Sequence, residues 1–164
     1  REWQEVARRR VQPCCIVFMD LDHLKEINDT CGHQAGDEVL AGVVRYLLEH
    51  LRPNDKVFRY GGDEFVIALP GADLAAGQAV IRHIRDGLAR MRLVSGPGGI
   101  DMSVTASFGL ALLDTDVSVE DCIDRADQAL LRAKAAGRNH AINWDASVTT
   151  GTRLRRLQLD DANG

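Results

Sequence analysis

Two strand-like runs, Val57-Phe58-Arg59-Tyr60 and Glu64-Phe65-Val66-Ile67-Ala68-Leu69, flank the pair Gly61-Gly62. Such runs on either side of a glycine pair are a strong hairpin signal. A hairpin imposes an antiparallel strand pair, so the sheet that forms here cannot be purely parallel. A second apolar run, Cys14-Cys15-Ile16-Val17-Phe18-Met19, carries no polar break and reads as a buried central strand ending at Asp20.

The remaining segments read mostly as helices. Leu21 to Thr30 is expected to form a short helix with Asp22 as its N-cap. A long helix is expected from Asp37, with Val39, Leu40, Val43, Val44, Leu47, Leu48 and Leu51 on one face and Pro53 just beyond its end. A third runs from about Asp73 to Met91, with Val80, Ile81, Ile84, Leu88 and Met91 inward. Ser95 to Gly99 is a loop, and Met102 to Leu113 reads as one strand. Ser118 with Asp121 resembles a capping box opening a fourth helix, which would bury Cys122, Ile123, Ala126, Leu130 and Ala133 and stop at Gly137. A short strand at about His140 to Asn143 would close the domain. This order is not the strict alternation of a doubly wound parallel fold. It predicts an α+β domain: one central mixed sheet of about five strands with helices packed around it. Residues 1–12 read as the end of a linker helix, 13–145 as the domain, and 146–164 as a polar, unstructured tail. The abrupt helical opening suggests a piece of a larger protein.

With 164 residues the chain suits one domain with a sizeable core. Its net charge of −4, from 20 basic and 24 acidic side chains, argues against a duplex nucleic-acid binder. Cys14, Cys15, Cys31 and Cys122 form no CxxC pair and read as core thiols of a cytoplasmic protein. No apolar stretch reaches the roughly 20 residues of a membrane helix, and no signal peptide is evident. The P-loop, HExxH and GxSxG patterns are absent.

The chemistry concentrates in two acidic clusters, Asp20 with Asp22 after the first strand and Asp63 with Glu64 after the glycine pair. If the hairpin pairs beside the first strand, Asp20 and Asp63 meet at one sheet end. Carboxylates gathered there repel unless a cation sits among them, and hard oxygen ligands suit Mg²⁺ or Mn²⁺. On spacing alone, Asp63 as a turn residue and Asp22 as a helix cap serve as well. The Gly61-Gly62 tip would allow positive φ and close ligand approach, or simply a type I′ turn.

Three blocks carry a resemblance. Arg59-Tyr60-Gly61-Gly62-Asp63-Glu64-Phe65 contains the motif that names the GGDEF family of diguanylate cyclases. Asp20-Leu21-Asp22-His23-Leu24-Lys25-Glu26-Ile27-Asn28-Asp29, then Gly32-His33 and Gly36-Asp37, resembles its first signature. Ala133-Lys134-Ala135-Ala136-Gly137-Arg138-Asn139 resembles its closing one. The resemblance spans residues 13–143 and implies a nucleotidyl-cyclase or palm-like sheet whose site condenses two GTP into cyclic di-GMP, releasing two pyrophosphates.

By that resemblance, Asp20, Asp63 and the backbone carbonyl of Leu21 would hold up to two Mg²⁺ or Mn²⁺ ions. Asp63 would help deprotonate the ribose 3′-hydroxyl, with Glu64 supporting the site. Lys25 would face the phosphates, and Lys134 and Arg138 would reach the terminal ones. For Arg138 a cation at a helix end is the plainer alternative. Asn28 and Asp37 would read guanine, because a carboxylate accepts from both its N1–H and its amino group. Asp37 as a helix cap is the alternative. His23, Leu24, Gly61 and Gly62 would complete the GTP pocket.

A symmetric product requires two sites facing each other, hence a transient isologous homodimer. Arg52-Pro53-Asn54-Asp55 stands at the offset of the family's inhibitory product site, with His83 or Arg82 as the second cation. An ordinary turn with an ion pair is the plainer reading. Leu24, Leu131 and Cys31 stand where the family usually has aromatic residues, and the Asp-x-Leu-Thr stretch before the first strand is missing. The resemblance also implies a sensory domain elsewhere in the parent protein, no nucleic-acid partner and no membrane contact by this domain. The rival classes are a silent module sensing cyclic di-GMP or GTP and a structural dimerisation domain.

Overall fold

A computed structural model describes residues 12–95 and 100–148. The helix expected before residue 12, most of the glycine-rich loop and the tail from 149 onward lie outside the described residues.

The uninterrupted apolar run becomes β1 (Cys14–Leu21), every residue of which is buried. It forms the middle of a five-stranded sheet. The hairpin supplies β2 (Lys56–Arg59) and β3 (Glu64–Pro70), paired antiparallel, and β3 runs antiparallel to β1. On its other side β1 pairs antiparallel with β6 (Ala106–Leu113), and β7 (Ala141–Asn143) lies parallel to β6. The sheet is therefore mixed, as expected, with β6–β7 as its parallel pair.

Side chains alternate between the faces of the sheet. Cys15, Val17, Met19, Phe65, Ile67 and Leu110 point to one core, together with Val39, Val43 and Leu47 of α2 (His33–His50) and Ile81, Ile84 and Leu88 of α3 (Leu74–Arg90). Cys14, Ile16, Phe18, Val66 and Ala111 point to the other, covered by Cys122, Ala126 and Leu130 of α4 (Val119–Ala135). The short α1 (Leu24–Cys31) precedes α2. The capping expectation holds at α4, where Ser118 Oγ accepts from Asp121 N at 3.0 Å. Asp73 caps α3 in the same way through Ala76 N. Gly109 of β6 brings strand and helix into backbone contact: a Cβ there would lie 1.9 Å from the Ala126 carbonyl oxygen and 2.3 Å from Leu130 N.

Several expectations are corrected. Asp22 is not a helix cap. His23, in the left-handed region at φ 62°, precedes α1 without any side-chain cap. The long helix starts at His33, four residues before Asp37, after Gly32 at φ 90°. Leu48 is 63% exposed rather than inward. The run from Met102 to Leu113 is broken. Ile100–Met102 (β5) pairs with Leu93–Ser95 (β4) in a separate two-stranded sheet, and Thr105 is drawn to the end of β1, where its carbonyl accepts from Asp22 N at 2.9 Å. Positive φ among the described glycines falls at Gly32, Gly71 and Gly137, so Gly61-Gly62 forms no type I′ turn. The tip is instead a longer loop closed by Tyr60 N and Gly61 N on the Glu64 carbonyl (2.9 and 3.3 Å). Arg59 braces it through the Gly61 and Gly62 carbonyls. Ala146–Val148, placed in the unstructured tail, forms a short 3-10 turn with Val148 buried.

Candidate active site at one end of the sheet

Strand register brings the acids together. Asp20 is opposite Glu64 across the β1–β3 pair, and Leu21 N donates to the Asp63 carbonyl at 3.1 Å. Carboxylate oxygens of Asp20, Asp63 and Glu64 all lie within 4.8 Å of one another. Asp20 is only 6% exposed; its Oδ2 accepts from Lys134 Nζ of α4, and its Oδ1 is buried without a partner. Burial pushes the Asp20 carboxyl up to about 7, with Lys134 opposing and Asp63 adding to the rise. A buried oxygen with no donor, on a carboxylate grouped with two others, fits a hard divalent cation. The three acids are the residues that would hold it.

Two positions on, Asp22 has a different part. It is 3% exposed and its oxygens accept from Ser107 Oγ (2.7 Å), Thr105 Oγ1 (2.7 Å) and the backbone N of Asn139 (3.0 Å). This knot ties β1, β6 and the loop after α4 to one carboxylate. That loop holds Arg138 and Asn139 at φ 62° and 50°, a conformation that needs such support. Sequence reasoning missed the knot, although a signal existed: Ser107 is the lone hydrogen-bonding side chain in Ala106–Leu113.

The expected nucleotide-binding residues lie on separate elements. Lys25 is exposed on α1, and Asn28 is half-buried. Asn28 packs against Gly36, where an added Cβ would come within 1.7 Å of its Oδ1. Asn28 thereby lies beside the part of α2 that carries exposed Asp37. Because α2 begins at His33, Asp37 is no helix cap. Exposed His23 stands 3.5 Å from Glu26. The Glu26 carboxyl is lowered, first by its own backbone N–H and then by His23 and Arg138, and Arg138 is exposed. Leu24 is 5% exposed and packs into the core rather than lining an open pocket.

The Arg52–Asp55 segment sits at the opposite end, as a closed turn. Asp55 accepts from Arg52 N (2.8 Å), Nε (3.2 Å) and Nη2 (2.9 Å), and Arg52 Nη2 also reaches the Pro70 carbonyl at 3.1 Å. His83 on α3 is exposed, its ring 6.4 Å from that of His50. Arg82 beside it is exposed as well.

Residues 1–140 match the family described as "Diguanylate cyclase, GGDEF domain". The chain is 38% identical over 142 residues to the diguanylate cyclase DosC of Escherichia coli (strain K12), covering 87% of this chain and 31% of that protein. It is 40% identical over 138 residues to the diguanylate cyclase DgcP of Pseudomonas aeruginosa, covering 83% of this chain and 20% of that one. It thus spans a third or less of these relatives. The fold is similar to the crystal structure of the GGDEF domain of DgcB from Caulobacter crescentus in complex with c-di-GMP, with a TM-score of 0.80 and 29% identity over 87% of this chain and 85% of that one. With three signature blocks in order along one fold and a family match over most of its length, the chain belongs to the GGDEF family of diguanylate cyclases.

Proposed function

We infer that this domain condenses two GTP into cyclic di-GMP at the interface of a transient homodimer and is restrained by its product. The observation that carries the reading is the Asp20–Asp63–Glu64 cluster with its orphaned buried oxygen, in a chain of this family. A divalent cation bound there would neutralise charge on the reacting phosphate and the attacking oxygen. The protein's own groups do the rest. Asp63 accepts the proton of the 3′-hydroxyl, whose oxygen attacks the α-phosphorus of the facing nucleotide. The bond to pyrophosphate breaks, and the same exchange in the opposite sense closes the ring. Lys25, Lys134 and Arg138 draw charge onto the phosphates, while Asn28 and Asp37 select guanine over adenine, which would leave Asp37 facing an acceptor.

Each protomer holds one nucleotide, so two sites must face each other, and proximity supplies much of the rate. Product restraint is assigned to the Arg52–Asp55 turn with His83 or Arg82. The neighbouring DgcB structure contains c-di-GMP, which supports a product-binding surface in this fold.

The test is incubation with GTP and Mg²⁺, following pyrophosphate and cyclic product. Product that disappears in Asp63→Ala, with rate rising faster than linearly in protein concentration, is expected. GTP bound but never turned over would make the domain a sensor instead. Inhibition that persists unchanged in Arg52→Ala would remove the product site from that turn.

A further inference from the structure

Lys134 is an odd partner for Asp20 if its task is only to bind nucleotide. Its ammonium sits on one oxygen of the carboxylate that would hold the cation, while the other oxygen has no donor at all. The contrast with Asp55 is informative, since both oxygens of that acid are taken by donors of its own turn. A pair built for stability alone leaves no buried lone pair unsatisfied. We propose that Lys134 is the resident counter-ion of the acidic cluster, that an entering divalent cation displaces it from Asp20, and that the released ammonium becomes available to the nucleotide phosphates. The proposal rests on the reading of Asp20, Asp63 and Glu64 as a cation site.

The fold makes such an exchange a side-chain event. The backbone at Lys134 is fixed, because Ala126, Ala129, Leu130 and Ala133 are buried against the sheet and the backbone of α4 rests on Gly109. The head is not. The Lys134 side chain is 28% exposed, and its long stem has several freely rotating bonds. Before any cation enters, three carboxylates share a small volume and Lys134 offsets their repulsion. Once a divalent ion sits on Asp20, two cations would share one carboxylate. The ammonium then gains by leaving for solvent or for a phosphate. Metal and phosphate binding would thus reinforce each other through one lysine, and metal without nucleotide would bind weakly.

The test uses Mn²⁺ alone, titrated calorimetrically into the nucleotide-free full chain. Lys134→Met is expected to bind Mn²⁺ at least tenfold more tightly than the unaltered protein, and Asp20→Asn to bind none. Unchanged or weaker affinity in Lys134→Met, with Asp20→Asn still silent, overturns the exchange while leaving the cation site intact. Mn²⁺ binding that survives Asp20→Asn overturns both. An independent measurement needs no variant: acetic anhydride labelling read by mass spectrometry. Saturating Mn²⁺ is expected to raise acetylation of Lys134 several-fold relative to exposed Lys56, whereas unchanged or reduced labelling refutes displacement.

Discussion

Asp20 and Asp55 stand at opposite ends of one sheet, and they are partnered in opposite ways. Asp55 precedes β2 and is closed by Arg52, which also reaches Pro70 at the far end of β3. Asp20, the penultimate residue of β1, lies beside Glu64 at the near end of β3, with one oxygen on Lys134 and the other without a hydrogen-bond partner. At about 3.3 Å per residue, β3 separates the two ends by about 20 Å. Both acids are buried and both are paired to a cation. The difference is completeness: both Asp55 oxygens are engaged by its own turn, which they fix, whereas Asp20 keeps one bare buried oxygen that suits a cation.

The contrast can be broken experimentally. Its largest expected consequence is at the open end. Asp63→Ala should cut pyrophosphate release by about 10³ or more, since in the proposed mechanism it removes both a cation ligand and the proton acceptor. Its melting temperature should stay level or rise as carboxylate repulsion is relieved, and a marked fall would make that end structural. Next comes Asp22, two positions from Asp20 but fully satisfied. Asp22→Ala strands the Thr105 and Ser107 hydroxyls and leaves Asn139 N only its 3.1 Å bond to Ser107 Oγ, and should cost about 3 kcal/mol in urea unfolding. Asp55→Ala at the sealed end should cost less, about 2 kcal/mol, because exposed Arg52 regains water. The smallest effect is a thiol count. Burial pushes Cys14 up to about 11 and Cys15 and Cys122 up to about 12, so all three stay protonated at pH 8. Half-buried Cys31 alone is expected to react with a disulfide reagent in the native protein, and all four in denaturant.

How far the sequence reached follows the same divide. Period and punctuation are local, so the hairpin, the central strand, the Ser118 cap and the Gly137 stop could be read directly. The meeting of Asp20 and Asp63 was also within reach, because a hairpin beside a buried strand has few registers to choose from. Asp22 was not. Its role depends on Thr105, Ser107 and Asn139, which lie 83 or more residues away, and no local pattern separates a helix cap from a tertiary knot. The start of α2 at His33 was hidden for a related reason. Gly32 and Gly36 look alike as letters, but one makes the turn at φ 90° and the other clears space for Asn28 inside the helix.

Gly109 has a consequence beyond packing. It is the fulcrum on which α4 rests, and Lys134 lies one turn past the contact at Leu130. Any side chain added there would tilt the helix like a lever and swing the ammonium away from Asp20. On the proposed function, alignment at this end of the sheet is therefore calibrated by the smallest residue in the middle of a strand.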